Sequence, residues 1–230
     1  MKTLGFLDIN NVGSLDRLSG FNGDLGPSAG DPCRYESSPI VKQVPGAWAR
    51  NVVPGAPTLE NAYIKAAQEL VHEGADAITG YCGFSVRYQQ AIAEAVPVPV
   101  SMSSLLLLPM LLSTAPASKK IAVLTADSRA LDDGIMAMLG ITEQSRLIVE
   151  GLEGTATYGY MWAENGEIDV DHFLADMDHI VNRVRQHQDI AAILCECTMF
   201  SRTSHRIRRA TGLPVYDTAT NAALLMASVS

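Results

Sequence analysis

Short apolar runs alternate along the chain with segments whose apolar residues recur every three or four positions. Leu4–Asp8, Pro39–Val44, Ala75–Gly80, Val98–Ser101, Lys120–Thr125, Leu147–Glu150 and Ala191–Leu194 read as strands. Thr58–Glu73 reads as a helix, with Leu59, Tyr63, Ala66, Ala67 and Leu70 on one face and Gly74 as its stop. Asp171–His187 does the same with Phe173, Leu174, Met177, Ile180, Val181 and Val184. Val86–Ala95, Ser104–Leu112 and Ala219–Ser228 read as further helices, and Asp127 or Ser128 can cap the helix after Lys120–Thr125. Alternating strands and helices predict an α/β protein. Its sheets should be mainly parallel and covered on both faces, because Ile121–Leu124 and Ala191–Leu194 are uniformly apolar.

Two stretches break this rhythm. From a turn signal at Asn10-Asn11 to Pro57 the chain is rich in Gly, Pro and Ser apart from the strand at Pro39–Val44. So long an irregular segment is usually a lid, a binding loop or a subunit contact. It therefore offers a surface for a homo-oligomer. Gly154–Ile168 is polar and aromatic and reads as an insertion.

The rhythm is also repeated. Shifted by 115 residues, Ala77–Val100 falls on Ala192–Val215 without a gap, and about a third of the positions are identical. Cys82 lands on Cys197, Arg87 on Arg202, Ile92 on Ile207, Ala95 on Ala210, and Pro99-Val100 on Pro214-Val215. Each copy is a strand, a cysteine at its C-terminal end, a helix, and a short Pro-Val strand. The expectation is two pseudo-twofold-related lobes with the active site in the cleft between them. Residues 1–103 with 218–230 would form the first lobe, carrying Asp8 and Cys82, and residues 104–217 the second, carrying Cys197. Ligands of parallel sheets collect at the C-terminal strand ends, which puts Asp8, Cys82, Thr125, Cys197 and Asp217 on the functional rim.

Composition narrows the classes. An apolar share of 47%, a charged share of 18% and a net charge of −8 describe a globular protein with no nucleic-acid surface. Arg202, Arg206, Arg208 and Arg209 recur at helical spacing and read as a solvated face. The longest apolar run, Leu105–Leu112, contains Pro109 and is too short to span a membrane. The N-terminal residues lack the pattern of a signal peptide, so a cytoplasmic protein with four free thiols is expected. No glycine pattern forms a phosphate cradle. Cys195 and Cys197 lack a second pair or a histidine cluster at ligand spacing, so no metal is expected. His72, His172, His179, His187 and His205 are scattered, and Cys195 and Cys33 read as a buried thiol and a loop thiol.

The chemistry that remains centres on Cys82 and Cys197. Each precedes a helix, whose free N–H groups and positive dipole end lower a thiol's pKa below its usual value of about 8.5. A buried cysteine can equally be a small hydrophobe, but matched placement at two strand ends favours catalysis. Two thiols on opposite sides of a substrate suit removal of a proton from one face and its return on the other. Glu196 could accept a hydrogen bond near the site or pair with a neighbouring arginine.

Leu4-Gly5-Phe6-Leu7-Asp8, Thr79-Gly80-Tyr81-Cys82-Gly83-Phe84 and Leu194-Cys195-Glu196-Cys197-Thr198 resemble the opening strand and two cysteine motifs of the aspartate/glutamate racemase superfamily. The resemblance runs over nearly the whole chain and is greatest to an uncharacterised Cys-Gly-Phe branch. It implies a two-lobed enzyme without pyridoxal phosphate or any other cofactor, acting through Cys82 and Cys197 as opposed acid and base, with Asp8 as a third catalytic-site residue. Asp8 would orient the first thiol and a substrate amine. Asn10, Gly83, Phe84, Thr125, Thr198 and Met199 would line the substrate pocket, and backbone N–H groups at the helix starts would hold a carboxylate or carbonyl oxygen. Two departures bear on the substrate. Gly83-Phe84 replaces the Asn-Thr of glutamate racemases, and Met199 and Phe200 stand where a histidine would follow the second Cys-Thr. These changes argue against free glutamate and for a less polar or cyclic substrate such as a hydantoin.

The expected function is a cofactor-independent racemase or epimerase inverting a carbon next to a carboxylate or carbonyl. The alternatives are a cis–trans isomerase of an unsaturated diacid, as in maleate isomerases, and a non-catalytic small-molecule binder on the same scaffold.

Overall fold

A computed structural model describes residues 1–10, 25–163 and 168–229. Asn11, the segment 12–24 of the long loop, residues 164–167 of the expected insertion and Ser230 lie outside them. The described residues form two four-stranded, all-parallel sheets. The first is ordered β2-β1-β3-β4, with β1 Leu4–Asp8, β2 Ile40–Gln43, β3 Ala77–Gly80 and β4 Val100–Ser101. The second is ordered β6-β5-β7-β8, with β5 Lys120–Thr125, β6 Leu147–Gly151, β7 Ile190–Cys195 and β8 Val215–Tyr216. In both, an apolar strand enters the sheet centre between helical layers, so β1 and β3 are buried at every position.

The helices are α1 Ala49–Val52, α2 Glu60–His72, α3 Gln89–Ala95, α4 Leu108–Thr114, α5 Asp133–Met138, α6 Ala156–Trp162, α7 Val170–Val184, α8 Ser204–Thr211 and α9 Thr218–Ala227. The faces expected of α2 and α7 are buried: Leu59, Tyr63, Ala66, Ala67 and Leu70 in one, Phe173 through Val184 in the other. Val86–Ala95 and Ser104–Leu112 each begin as 3-10 turns, at Gly83–Tyr88 and Ser104–Leu107. Asp127 caps only the short turn Ser128–Ala130, while Asp132 accepts from Ile135 N at 2.9 Å to start α5. Arg202 is not on a solvated face. It is 5% exposed, and its Nε donates to the Gly26 carbonyl at 3.2 Å.

The repeat in sequence is a repeat in hydrogen bonding. Tyr81 N donates to Leu7 O (3.0 Å) as Glu196 N donates to Leu124 O (2.7 Å). Ile78 N donates to Pro99 O as Ile193 N does to Pro214 O, both at 2.9 Å. The register Leu7↔Gly80 matches Leu124↔Cys195, so Asp8 and Thr125 are equivalent, as are Tyr81 and Glu196. The halves are tied together by Arg87, which donates from Nη2 to Asp132 Oδ2 (2.8 Å) and the Ala130 carbonyl (3.0 Å). Within the second half, Ser104 donates a buried bond to the Cys195 carbonyl at 2.7 Å.

Candidate active site

Each cysteine leaves its strand and opens a 3-10 turn, Cys82 before Gly83–Tyr88 and Cys197 before Thr198–Arg202. The turns repeat one another: Ser85 N donates to Cys82 O and Phe200 N to Cys197 O, both at 3.0 Å. This local geometry brings both thiols to one cleft of about 80 Å³, lined also by Asp8, Tyr81, Gly83, Phe84, Glu196, Thr198 and Met199. That volume holds a handful of water-sized groups and suits a substrate of few heavy atoms.

The cleft omits two residues expected to line it. Asn10 turns into the first lobe's loop, where its N–H donates to the Ala47 carbonyl at 2.8 Å. Thr125 stands behind the wall, its Oγ1 donating to Glu196 Oε2 at 2.8 Å. Asp217 is also absent from the cleft. It caps α9, accepting from Thr220 N at 2.8 Å, and borders a different, open cavity.

Conversely, the segment read as an insertion supplies part of the wall. Residues 156–162 form α6, capped by Thr155, and Met161 and Trp162 at its end face the cleft with Ile168. Tyr158 anchors α6 to the rim of the second sheet by donating to Asp127 Oδ2 at 2.8 Å. Arg129 also donates to Asp127 from Nε (2.8 Å) and Nη2 (2.7 Å). The guanidinium, offset by partial burial and aided by Tyr158, holds the Asp127 carboxyl at about 2. The aromatic spacing Tyr158, Tyr160, Trp162 was the available signal for this wall. A chain position remote from both cysteines concealed it.

Glu196 is the least anticipated part of the site. It is 1% exposed, and no arginine or lysine pairs with it among the described residues. Its Oε2 accepts from Thr125 Oγ1 and from Ala126 N (3.3 Å). Burial outweighs these bonds and pushes its carboxyl up to about 7. A Cβ on Gly83 would overlap the Glu196 carboxylate and its backbone carbonyl. Glycine after the first cysteine therefore makes room for this acid.

The thiols depart from expectation. Burial, with the Glu196 charge next, raises Cys82 to about 12 and Cys197 well above its ordinary value. The helix-start amides do act in the expected direction: those of Phe84 and Ser85 lower Cys82, and that of Met199 lowers Cys197. In this closed, apolar cleft they are outweighed. Cys195 is buried and Cys33 exposed. The five histidines are exposed, and no group of three or more His, Cys, Asp or Glu residues could hold a metal among the described residues. No helix among them is long and apolar enough to cross a membrane.

Two parallel-sheet lobes related by a repeat, each offering one cysteine to a shared cleft, define the protein class: the chain has the fold of the aspartate/glutamate racemase superfamily. Among solved structures it superimposes on unliganded arylmalonate decarboxylase (TM-score 0.58, 17% identity, covering 100% of this chain and 94% of that one). It likewise matches glutamate racemase from Aquifex pyrophilus (TM-score 0.56, 18% identity, covering 98% and 83%). In sequence the chain is similar to a dimethylsulfoniopropionate lyase of Durusdinium sp. clade D, 31% identical over 202 residues, or 84% of this chain and 66% of that protein. The chain spans about half to two thirds of the length of such curated relatives. No protein-family profile matches the chain.

Proposed function

We propose that the chain is a lyase acting on a small zwitterion: a thiolate removes a proton from the carbon next to a carboxylate, and a group leaves from the neighbouring carbon. One observation carries this reading. The cleft pairs two thiols with two buried carboxylates, Asp8 and Glu196, and has no basic side chain among its described lining residues. Glu196 has no cationic partner among the described residues, which disfavours a dicarboxylate and favours a substrate with a positive centre. Tyr81, Phe84 and Trp162 add aromatic rings to the lining, and an open ring face attracts an onium group. This argues against the unsaturated diacid of a cis–trans isomerase, and against free glutamate.

Dimethylsulfoniopropionate, the substrate in the relatives' name, has the required parts. A cysteine takes the proton at the carbon next to the carboxylate. That C–H electron pair becomes the new double bond, and the C–S pair leaves with sulfur as dimethyl sulfide, giving acrylate. A racemase reading shares the first step and is favoured by the symmetry of Cys82 and Cys197. The intermediate would then be reprotonated by the opposite thiol.

The test is incubation of the full chain with dimethylsulfoniopropionate, reading dimethyl sulfide in the headspace. Incubation in D2O with amino acids and hydantoins would read deuterium at the α carbon. Release of dimethyl sulfide supports the lyase. Exchange without elimination supports the racemase. Binding of the zwitterion with neither product establishes a non-catalytic binder and overturns both.

A further inference from the structure

The proposed chemistry needs a thiolate, yet burial holds both thiols protonated at neutral pH. A proton acceptor inside the cleft would ease formation of the thiolate. Glu196 lines the same cleft as both thiols. It directly precedes Cys197 in the chain, and its carboxylate stands over Gly83, the residue after Cys82, where an added Cβ would lie only 2.7 Å from Glu196 Cδ. The carboxylate thus sits between the two cysteine-bearing turns. Oε2 is held by Thr125 and Ala126, while Oε1 receives no hydrogen bond from a described residue. The titratable groups sharing its surroundings among the described residues are Asp8 at the end of β1, Tyr81 and Cys82 after β3, and Cys195 and Cys197 on its own strand and turn. None of them can neutralise it with a positive charge.

We propose that Glu196 is the proton acceptor for the catalytic thiols. Its carboxylate takes the S–H proton of whichever cysteine acts as base, leaving a neutral carboxylic acid and a thiolate. The S–H bond breaks, the O–H bond forms, and the buried charge of the site is unchanged. That conservation matters, because a second buried negative charge would be strongly disfavoured. This inference rests on the carbon-acid reading of the site. An acid that titrates near working pH is suited to such transfer.

The experiment uses the full chain without substrate and reads iodoacetamide alkylation of Cys82 and Cys197 by peptide mass spectrometry from pH 5.5 to 9.5. Exposed Cys33 serves as the reference thiol. In the wild-type chain the rates should bend near the Glu196 value of about 7 and flatten above it, because carboxyl and thiol titrate as a coupled pair. In Glu196→Gln the bend should vanish, and the rates should climb about tenfold per pH unit as for an isolated thiol. Thr125→Val, which removes a hydrogen bond that lowers Glu196, should move the bend to higher pH. This variant keeps the proposal open to refutation if Glu196→Gln does not fold. Profiles for the cleft thiols that are unchanged in the variants, or that lack the bend in wild type, overturn the proposal. Because no substrate is present, its failure is separable from that of the lyase reading. The altered profile without turnover refutes only the lyase, and turnover with unaltered profiles refutes only the proton acceptor.

Discussion

The α carbon of Gly83 lies against the carboxylate of Glu196, so closely that no side chain can be built between them. The residue after the first cysteine and the residue before the second are therefore one feature, joined across the cleft. Gly83→Ala must displace Glu196 or distort the Cys82 turn. Overpacking of this kind costs about 1–3 kcal/mol. Urea denaturation should show that loss, and alkylation of Cys82 should change with it.

Cys82→Ser and Cys197→Ser separate the two chemistries the cleft can perform. An elimination needs one base, so one variant should lose dimethyl sulfide release about 100-fold or more while the other retains part of it. Racemisation needs both thiols and should fail in either variant. Circular dichroism should show both variants folded.

Glu196 also leaves a mark on stability. Its folded carboxyl sits at about 7, above its ordinary 4.5. The stability contributed by the neutral acid is complete below 4.5 and is lost as pH rises through about 7. The loss is about 3 kcal/mol at most for a group so fully buried. Glu196→Gln should escape it, so the stability difference between variant and wild type should grow from pH 4.5 to 8 in parallel denaturation series.

Asp127 works in the opposite sense. Its carboxyl is depressed to about 2 by Arg129, so its stabilisation is present above the ordinary 3.8 and disappears as pH falls toward 2. Arg129 is largely exposed, so solvent screening reduces the gain to about 1 kcal/mol. Asp127→Asn should lose that amount at pH 7 and free Tyr158, loosening α6. Faster amide hydrogen exchange over residues 156–162 would report it.

Trp162 closes the cleft from α6, with its indole N–H buried and without a hydrogen-bond partner among the described residues. If it faces an onium substrate, Trp162→Ala should raise KM about tenfold with kcat less affected, and Trp162→Phe should recover most of the loss. Steady-state kinetics on the zwitterion decides between these outcomes.

The sequence alone determined the two-sheet α/β architecture and the pairing of Cys82 with Cys197. Both follow from local pattern: apolar runs that can only be buried strands, and a repeat that carries equivalent residues to equivalent strand ends. Phe84, Thr198 and Met199 reach the cleft for the same reason, since each lies one or two residues from a cysteine. Asn10 and Thr125 do not, because a strand end leaves open which way the next side chain points. Only the tertiary structure decided the character of the cleft. Closing the lobes set both thiols, each half-buried, among apolar walls, and desolvation outweighed the pKa lowering that the helix starts would give by themselves. Closure also brought Trp162 from a segment remote from both motifs, and set Glu196 into the space that Gly83 leaves. Burial and cross-lobe contact are sums over residues distant in sequence, and no local pattern carries them.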